Sequence, residues 1–295
     1  MKRLTLLNSI FICILLGIYG CGSVPITGRS QLNLVSDHEV LSLSLQEYNS
    51  YISTAKKSTD QAATALVINV GRKIADAVET YYKYNGMEAA LADYSWEFNL
   101  IDDPQVNAFC MPGGKIVVYS GILPITRDET SLAVVLGHEV GHAVAKHANE
   151  RMSQQLVAQY GAASLGAILS KSSSSVQSIS QTVYGLGAQY GVMLPYGRKQ
   201  ELEADYLGLV FMGIAGYNPE AAIPFWERMS QQGSAVPEFM STHPSDRTRI
   251  EDIRKELPEV MELYKAIWGN SNNSTAPATT PATAPASNTS NEWRF

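Results

Sequence analysis

His138-Glu139-Val140-Gly141-His142 sets two histidines four positions apart with a glutamate beside the first. On a helix with about 3.6 residues per turn, positions i and i+4 leave the same face one turn apart, so both imidazoles reach a single Zn²⁺. Glu139 then stands next to the metal, placed to take a proton from a zinc-bound water rather than to ligate. The flanks supply the helix. Thr126 and Glu129 have capping-box spacing, and Ser131-Leu-Ala-Val-Val-Leu136 with Val140, Ala143, Val144 and Ala145 forms a strongly apolar run. A buried helix carrying two histidines and a glutamate so close together needs a compensating partner, because unpaired buried charge is costly.

The remaining ligand has to come from elsewhere. A glycine three residues after the second histidine and a third histidine six after it would mark one class of zinc site, but Ala145 and Ala148 occupy those places. His147 is one position off and points away from the His142 face, as an exposed or structural histidine would. Glu201-Leu-Glu-Ala-Asp205 opens a second helical stretch that runs to Gly216 and puts Glu201 and Asp205 one turn apart. Glu201 can supply the third ligand while Asp205 accepts a hydrogen bond from a ligating imidazole and fixes its tautomer. Glu203 projects elsewhere and reads as a solvated surface charge.

These motifs occur in a fixed order with others: Val24-Pro-Ile-Thr-Gly-Arg29, Asn107-Ala-Phe-Cys-Met-Pro-Gly-Gly114, and Ser241-Thr-His-Pro244 followed by Arg249-Ile250. Together they resemble metallopeptidase family forty-eight, the gluzincin family that contains the CAAX prenyl protease, HtpX, BepA and LoiP. The resemblance implies His138, His142 and Glu201 as ligands of one Zn²⁺ per chain, Glu139 as the base and Asp205 as the partner of His138. It also implies His243 beside the metal centre, steadying the oxyanion of the tetrahedral intermediate. Arg249 has three open readings: an anchor for its loop, an anchor for a substrate carbonyl, or a plain structural ion pair. Gluzincins present a sheet edge to substrate, and Lys115-Ile116-Val117-Val118-Tyr119 has strong strand character after the Pro112-Gly113-Gly114 turn. It is therefore expected to be an exposed edge beside the zinc, pairing with an extended client.

The ends of the chain speak to location. Met1-Lys2-Arg3, the apolar run from Leu4 to Gly20 and Ile18-Tyr19-Gly20-Cys21 predict a secretory signal over 1–20 with lipidation at Cys21. An uncleaved membrane anchor is the rival reading of the same run. Several acyl chains on Cys21 would hold the protein to a membrane, and Gly22 after the cysteine favours an outer membrane with the domain facing the periplasm. The formal net charge is −6, and −8 once Lys2 and Arg3 leave with the signal. No basic stripe remains to replace counterions on phosphates, which argues against a nucleic-acid partner. Of the three cysteines, Cys13 leaves with the signal and Cys21 is acylated, so Cys110 has no disulfide partner.

Between these ends, the length suits one domain over 31–269, after a tether at 21–30 and before a disordered Ser/Thr/Pro/Ala/Asn-rich tail at 270–295. Helices are predicted from Gln31 to about Ser50, with Ser36 and Glu39 in capping-box spacing, and from Asp60 to about Lys83. Strands follow at Tyr94–Ile101 and Lys115–Tyr119, then helices at Asp128, Glu201 and Asn218-Pro219. The plan is α+β and mostly helical: a gluzincin-type domain with a small antiparallel sheet beside the active-site helix. Val157 to Leu194, rich in glycine, alanine and aliphatics but broken by Lys171-Ser-Ser-Ser-Ser175, reads as a packed helical hairpin, a lid or a lipid-touching surface. The function that fits is a zinc endopeptidase of the bacterial envelope acting on misfolded or unassembled envelope proteins. The competing class is a chaperone or assembly factor with little or no proteolysis.

Overall fold

A computed structural model of the chain describes residues 21–161, 174–180, 183, 197–231, 243 and 247–269. The signal at 1–20, the tail at 270–295 and most of 157–194 lie outside the described residues. In order, the elements are β1 (Cys21–Ser23), β2 (Ser30–Leu32), α1 (Asp37–Thr54), α2 (Gln61–Tyr84), β3 (Glu97–Ile101), β4 (Ala108–Met111), β5 (Lys115–Tyr119), α3 (Glu129–Val144), α4 (His147–Tyr160), α5 (Ser174–Ser180), α6 (Arg198–Ile214), α7 (Ala222–Gln231) and α8 (Arg247–Trp268). They divide into two units, Met1–Ser53 with Ala145–Leu194 and Thr54–Val144 with Pro195–Phe295.

In the first unit, β1 and β2 pair antiparallel, Cys21 opposite Leu32 and Ser23 opposite Ser30. Ser30–Leu32 is thus strand where a helix was expected, and α1 starts only after Ser36, whose hydroxyl accepts the Glu39 N–H at 3.2 Å. A row of polar bonds ties the stretch after the hairpin to α4. Both guanidinium nitrogens of Arg29 reach Glu150, at 2.9 and 2.8 Å. The Leu34 N–H donates to Ser153 and the Asn149 amide donates to the Val35 carbonyl. Such a fork-to-carboxylate pair is geometrically specific as well as strong.

The second unit holds α2, α3, α6, α7 and α8 together with a small sheet. Asp60 caps α2 by accepting the Ala63 N–H, and Val67, Val70, Ile74, Val78 and Tyr82 recur at helical spacing as its buried face against α3 and β3. Helix α3 has no solvated face at all: every residue from Ser131 to Val144 is buried. Its cap is Asp128, which accepts the Ser131 N–H at 2.7 Å, rather than Thr126, whose hydroxyl turns back to the Leu123 carbonyl. Asn218 caps the turn that leads into α7, as its spacing before Pro219 predicts.

Helices α3 and α6 cross with backbones nearly touching. A Cβ placed on Gly208 would sit 2.8 Å from the His138 nitrogen and 2.9 Å from the Gly137 carbonyl carbon, and one on Gly141 would sit 2.8 Å from the Ala204 oxygen. Only glycine permits this approach, and it brings His138 and His142 of one helix against Glu201 and Asp205 of the other.

The three-stranded sheet has the order β3-β5-β4. Strands β4 and β5 form an antiparallel hairpin, Ala108 opposite Val118 and Met111 opposite Lys115, across a turn in which Gly113 and Gly114 adopt φ of 87° and 80°. Strand β3 pairs with β5 in parallel, Glu97 opposite Lys115 and Ile101 opposite Tyr119, because two chain reversals separate them. This corrects one expectation. Lys115, Ile116, Val117, Val118 and Tyr119 form the central strand, bonded on both sides and wholly buried, and no exposed edge. An apolar run of this kind marks a strand covered on both faces, where an edge is usually blunted by charge. The outer side of β3 is partly closed by a bridge between Lys57 and Ile101. The ladder edge beside α3 belongs to β4. Since Asn107 and Met111 bond toward β5, the alternate residues Ala108 and Cys110 turn their backbone groups outward.

Candidate active site

All the polar residues singled out around the two histidines come together in the second unit. Helix α3 contributes His138, Glu139 and His142; α6 contributes Glu201 and Asp205; the bend at 243 contributes His243; α8 contributes Arg249. Each of the seven is buried. Cys21 lies in β1 of the other unit, and Lys115–Tyr119 in the sheet, so neither belongs to this cluster.

Distances between donor atoms show what the cluster can hold. Four ligands at about 2.0–2.1 Å from a tetrahedral zinc are roughly 3.3 Å from one another. Here His138 Nε2 is 3.0 Å from His142 Nε2, 3.2 Å from His243 Nδ1 and 3.5 Å from Glu201 Oε2. Glu201 Oε1 is 3.3 Å from His142 Nε2 and 3.1 Å from His243 Nδ1. These four residues could hold a metal ion between them, their ligand atoms all within 4.8 Å of one another. Three imidazoles and one carboxylate suit Zn²⁺. Glu139 Oε1 is buried without a hydrogen bond, as expected of an oxygen that faces a metal-bound water; Glu201 Oε2 makes no hydrogen bond either but has Arg249 Nη1 at 3.2 Å. His243, expected near the metal, has Nδ1 in the fourth donor position, while its Nε2 lies 3.4 Å from Glu139 Oε1.

Charge explains the protonation states. Burial pushes the Glu139 carboxyl up to about 7, against the pull of His243. That places it where a general base at neutral pH belongs, although a bound dication draws it down. Burial lowers His138 to about 4, helped by Arg249 and opposed by Asp205, so its ring is neutral and free to ligate. Burial also works to raise Glu201, but His243 and the hydrogen bonds from His142 and His243 hold it well below the usual carboxylate range. On His243 the carboxylates of Glu139 and Glu201 outweigh burial and raise its pKa.

Asp205 takes the place expected of it: Oδ1 is 2.8 Å from His138 Nδ1, which fixes that nitrogen as the donor and leaves Nε2 for the metal. Of the three readings open for Arg249, the structure shows the ion pair. Arg249 donates to both carboxylate oxygens of Asp205, Nε to Oδ2 at 2.6 Å and Nη2 to Oδ1 at 2.7 Å. Its Cζ lies 3.5 Å from the Trp226 ring centroid. Spacing gave no signal for Trp226, an aromatic on an apolar helix face. Glu203 is buried and not solvated, as are its helix neighbours Ala204 and Asp205. His147 is buried too and takes no part in the metal set.

Comparison with known proteins agrees with this geometry. Residues 70–257, more than half of the chain, match peptidase family M48. The mitochondrial metalloendopeptidase OMA1 of Schizosaccharomyces pombe is 40% identical over 190 residues, 61% of this chain and 54% of that protein. OMA1 of Saccharomyces cerevisiae is 32% identical over 257 residues, covering 82% of this chain and 70% of its own length. The beta-barrel assembly-enhancing protease of Escherichia coli is 29% identical over 175 residues, 57% of this chain and 36% of that protein. The chain thus spans about half the length of several curated relatives it matches, as for human OMA1, where the match covers 46%.

Proposed function

The chain belongs to peptidase family M48, and from that premise we propose that it is a zinc-dependent endopeptidase of the bacterial cell envelope that removes misfolded or unassembled envelope proteins. The observation that carries the enzymatic reading is the convergence of the ligand atoms of His138, His142, Glu201 and His243, with Glu139 beside them. Zinc held by these residues would supply a Lewis acid and acidify a bound water toward neutrality. Glu139 takes the proton of the attacking water and returns it to the leaving amine. Hydrolysis needs one coordination position for water or substrate. His243 is the donor suited to give way, since it sits in a bend while the other three are fixed on crossed helices. Away from the fourth position, its imidazole would be able to donate to the oxyanion.

An extended client laid along the β4 edge beside α3 accounts for acceptance of many sequences, since main-chain hydrogen bonds carry little side-chain information. That demands an unfolded substrate and so supports a quality-control role. The envelope location rests on the signal and lipobox ending at Cys21. Among the described residues no helix is long and apolar enough to cross a membrane.

The test is cleavage of permanently unfolded casein by the purified chain with and without chelator, beside Glu139→Gln. Zinc-dependent cleavage is expected, with Glu139→Gln keeping zinc and losing activity. Undiminished cleavage by Glu139→Gln would overturn the reading, and a native chain that binds casein but never cuts it would favour the chaperone class.

A further inference from the structure

Among the described residues, Arg249 is the one arginine or lysine buried among the three carboxylates of the site, and it touches Asp205, Glu201, Trp226 and His138. Its fork edge chelates Asp205 through Nε and Nη2. Nη1 lies 3.2 Å from Glu201 Oε2. One flat face of the guanidinium rests on Trp226. Nη2 is also 3.0 Å from His138 Nδ1 and 3.3 Å from His138 Nε2. These last two contacts are not in-plane hydrogen bonds, since Nδ1 is given to Asp205 and Nε2 faces the metal set. A point so close to both ring nitrogens lies above the imidazole, because within the ring plane it would collide with Cε1. The arginine therefore lies over the ring it helps to orient.

Charge gives the arrangement its sense. Glu139, Glu201 and Asp205 bring three carboxyl groups into a buried cluster, whose charge Arg249 and a zinc dication together would balance. Arginine is suited to the place because a planar fork meets a carboxylate with two bonds and can stack on an aromatic face at the same time; lysine offers a point charge.

We propose that Arg249 is a positioning residue of the metal centre: its fork locks Asp205, Asp205 orients His138, and zinc retention depends on that chain of contacts. The proposal rests on the cluster being a zinc site. It sets aside the reading of Arg249 as a substrate-carbonyl anchor, because its fork and one face are occupied inside the protein and its side chain is 2% exposed. Partners behind a metal-ligating histidine typically matter about 10–100-fold in metal affinity, and the loss expected here is of that order.

The test uses the full chain with Arg249→Gln, Arg249→Lys, Asp205→Asn and the Asp205→Asn/Arg249→Gln double variant. Zinc release to a competing chelator is timed, and the visible absorption of the Co²⁺-substituted proteins reports ligand geometry, with circular dichroism as the folding control. Zinc should leave Arg249→Gln about 10–100-fold faster than the native chain, with a shifted Co²⁺ spectrum in protein that remains folded. Arg249→Lys should fall between the two. The double variant should lose little more than the worse single variant, since both act through one contact. Native zinc retention and Co²⁺ spectrum in folded Arg249→Gln, with or without a raised KM, would overturn the proposal, as would losses that multiply in the double variant. If Arg249→Gln does not fold, Arg249→Lys decides by the same two readouts. A native chain that takes up no zinc would refute the zinc reading itself, an outcome distinct from native-like variants.

Discussion

Gly208→Ala asks whether the zinc site depends on how closely two helices can approach. The added methyl would lie 2.8 Å from the His138 nitrogen, 2.9 Å from the Gly137 carbonyl carbon and 3.1 Å from the His138 Cα. Optimal carbon contacts are about 3.5–4.0 Å, so the helices must part by roughly half an ångström or more. All three obstructing atoms are backbone, which no rotamer change relieves. Overpacking of this kind costs about 1–3 kcal/mol, and the upper end applies here. Alanine returns about 1 kcal/mol through its helix propensity. The net expectation is a loss of about 2 kcal/mol, or roughly 4–8 °C in Tm for a unit of this size. Gly213→Ala on the same helix is the matched control: its methyl meets nothing nearer than a Pro219 ring carbon at 3.4 Å. It should be neutral or gain up to about 1 kcal/mol. Thermal unfolding in chelator isolates the packing effect, and zinc titration of the folded proteins then reports whether displacement of His138 weakens the site. The reasoning fails if Gly208→Ala melts at or above the native chain, or if the two alanines behave alike.

Replacing Val117 with proline should unfold the second unit rather than merely slow cleavage, because a central strand cannot spare a ladder donor; a cooperative native-like melt would refute the central placement of β5. Ala replacement of His138 or Glu201 should strip most zinc at stoichiometric metal, measured by elemental analysis, and full occupancy in both would sink the ligand set. Chelator should lower the melting temperature of the native chain, since zinc at a thousandfold over its Kd adds about 4 kcal/mol to the folded state. Cys21→Ser should abolish incorporation of labelled fatty acid and release the protein from membranes on fractionation; persistent labelling would remove the lipid anchor from the account.

Local chemistry was legible without coordinates. The i, i+4 spacings of His138 with His142 and of Glu201 with Asp205 specify shared helix faces whatever surrounds them, and the caps at Ser36, Asp60 and Asn218 act within three residues. That is why His138, His142 and Glu201 could be nominated as ligands from the chain. Everything that depends on which element lies beside which was decided by the tertiary structure. Val117 and Val118 have the same apolar character in an edge strand as in a central one, and only pairing with β3 and β4 settles their place. Glu203 is charged in any reading, yet the packing around α6 buries it. Arg249 follows His243 by six residues, a spacing that says nothing of a guanidinium held between Asp205 and Trp226. Sequence periodicity fixes the face of a helix because it is set by the local backbone; the partner of that face is set by contacts between residues far apart in the chain, and these exist only once the fold has closed.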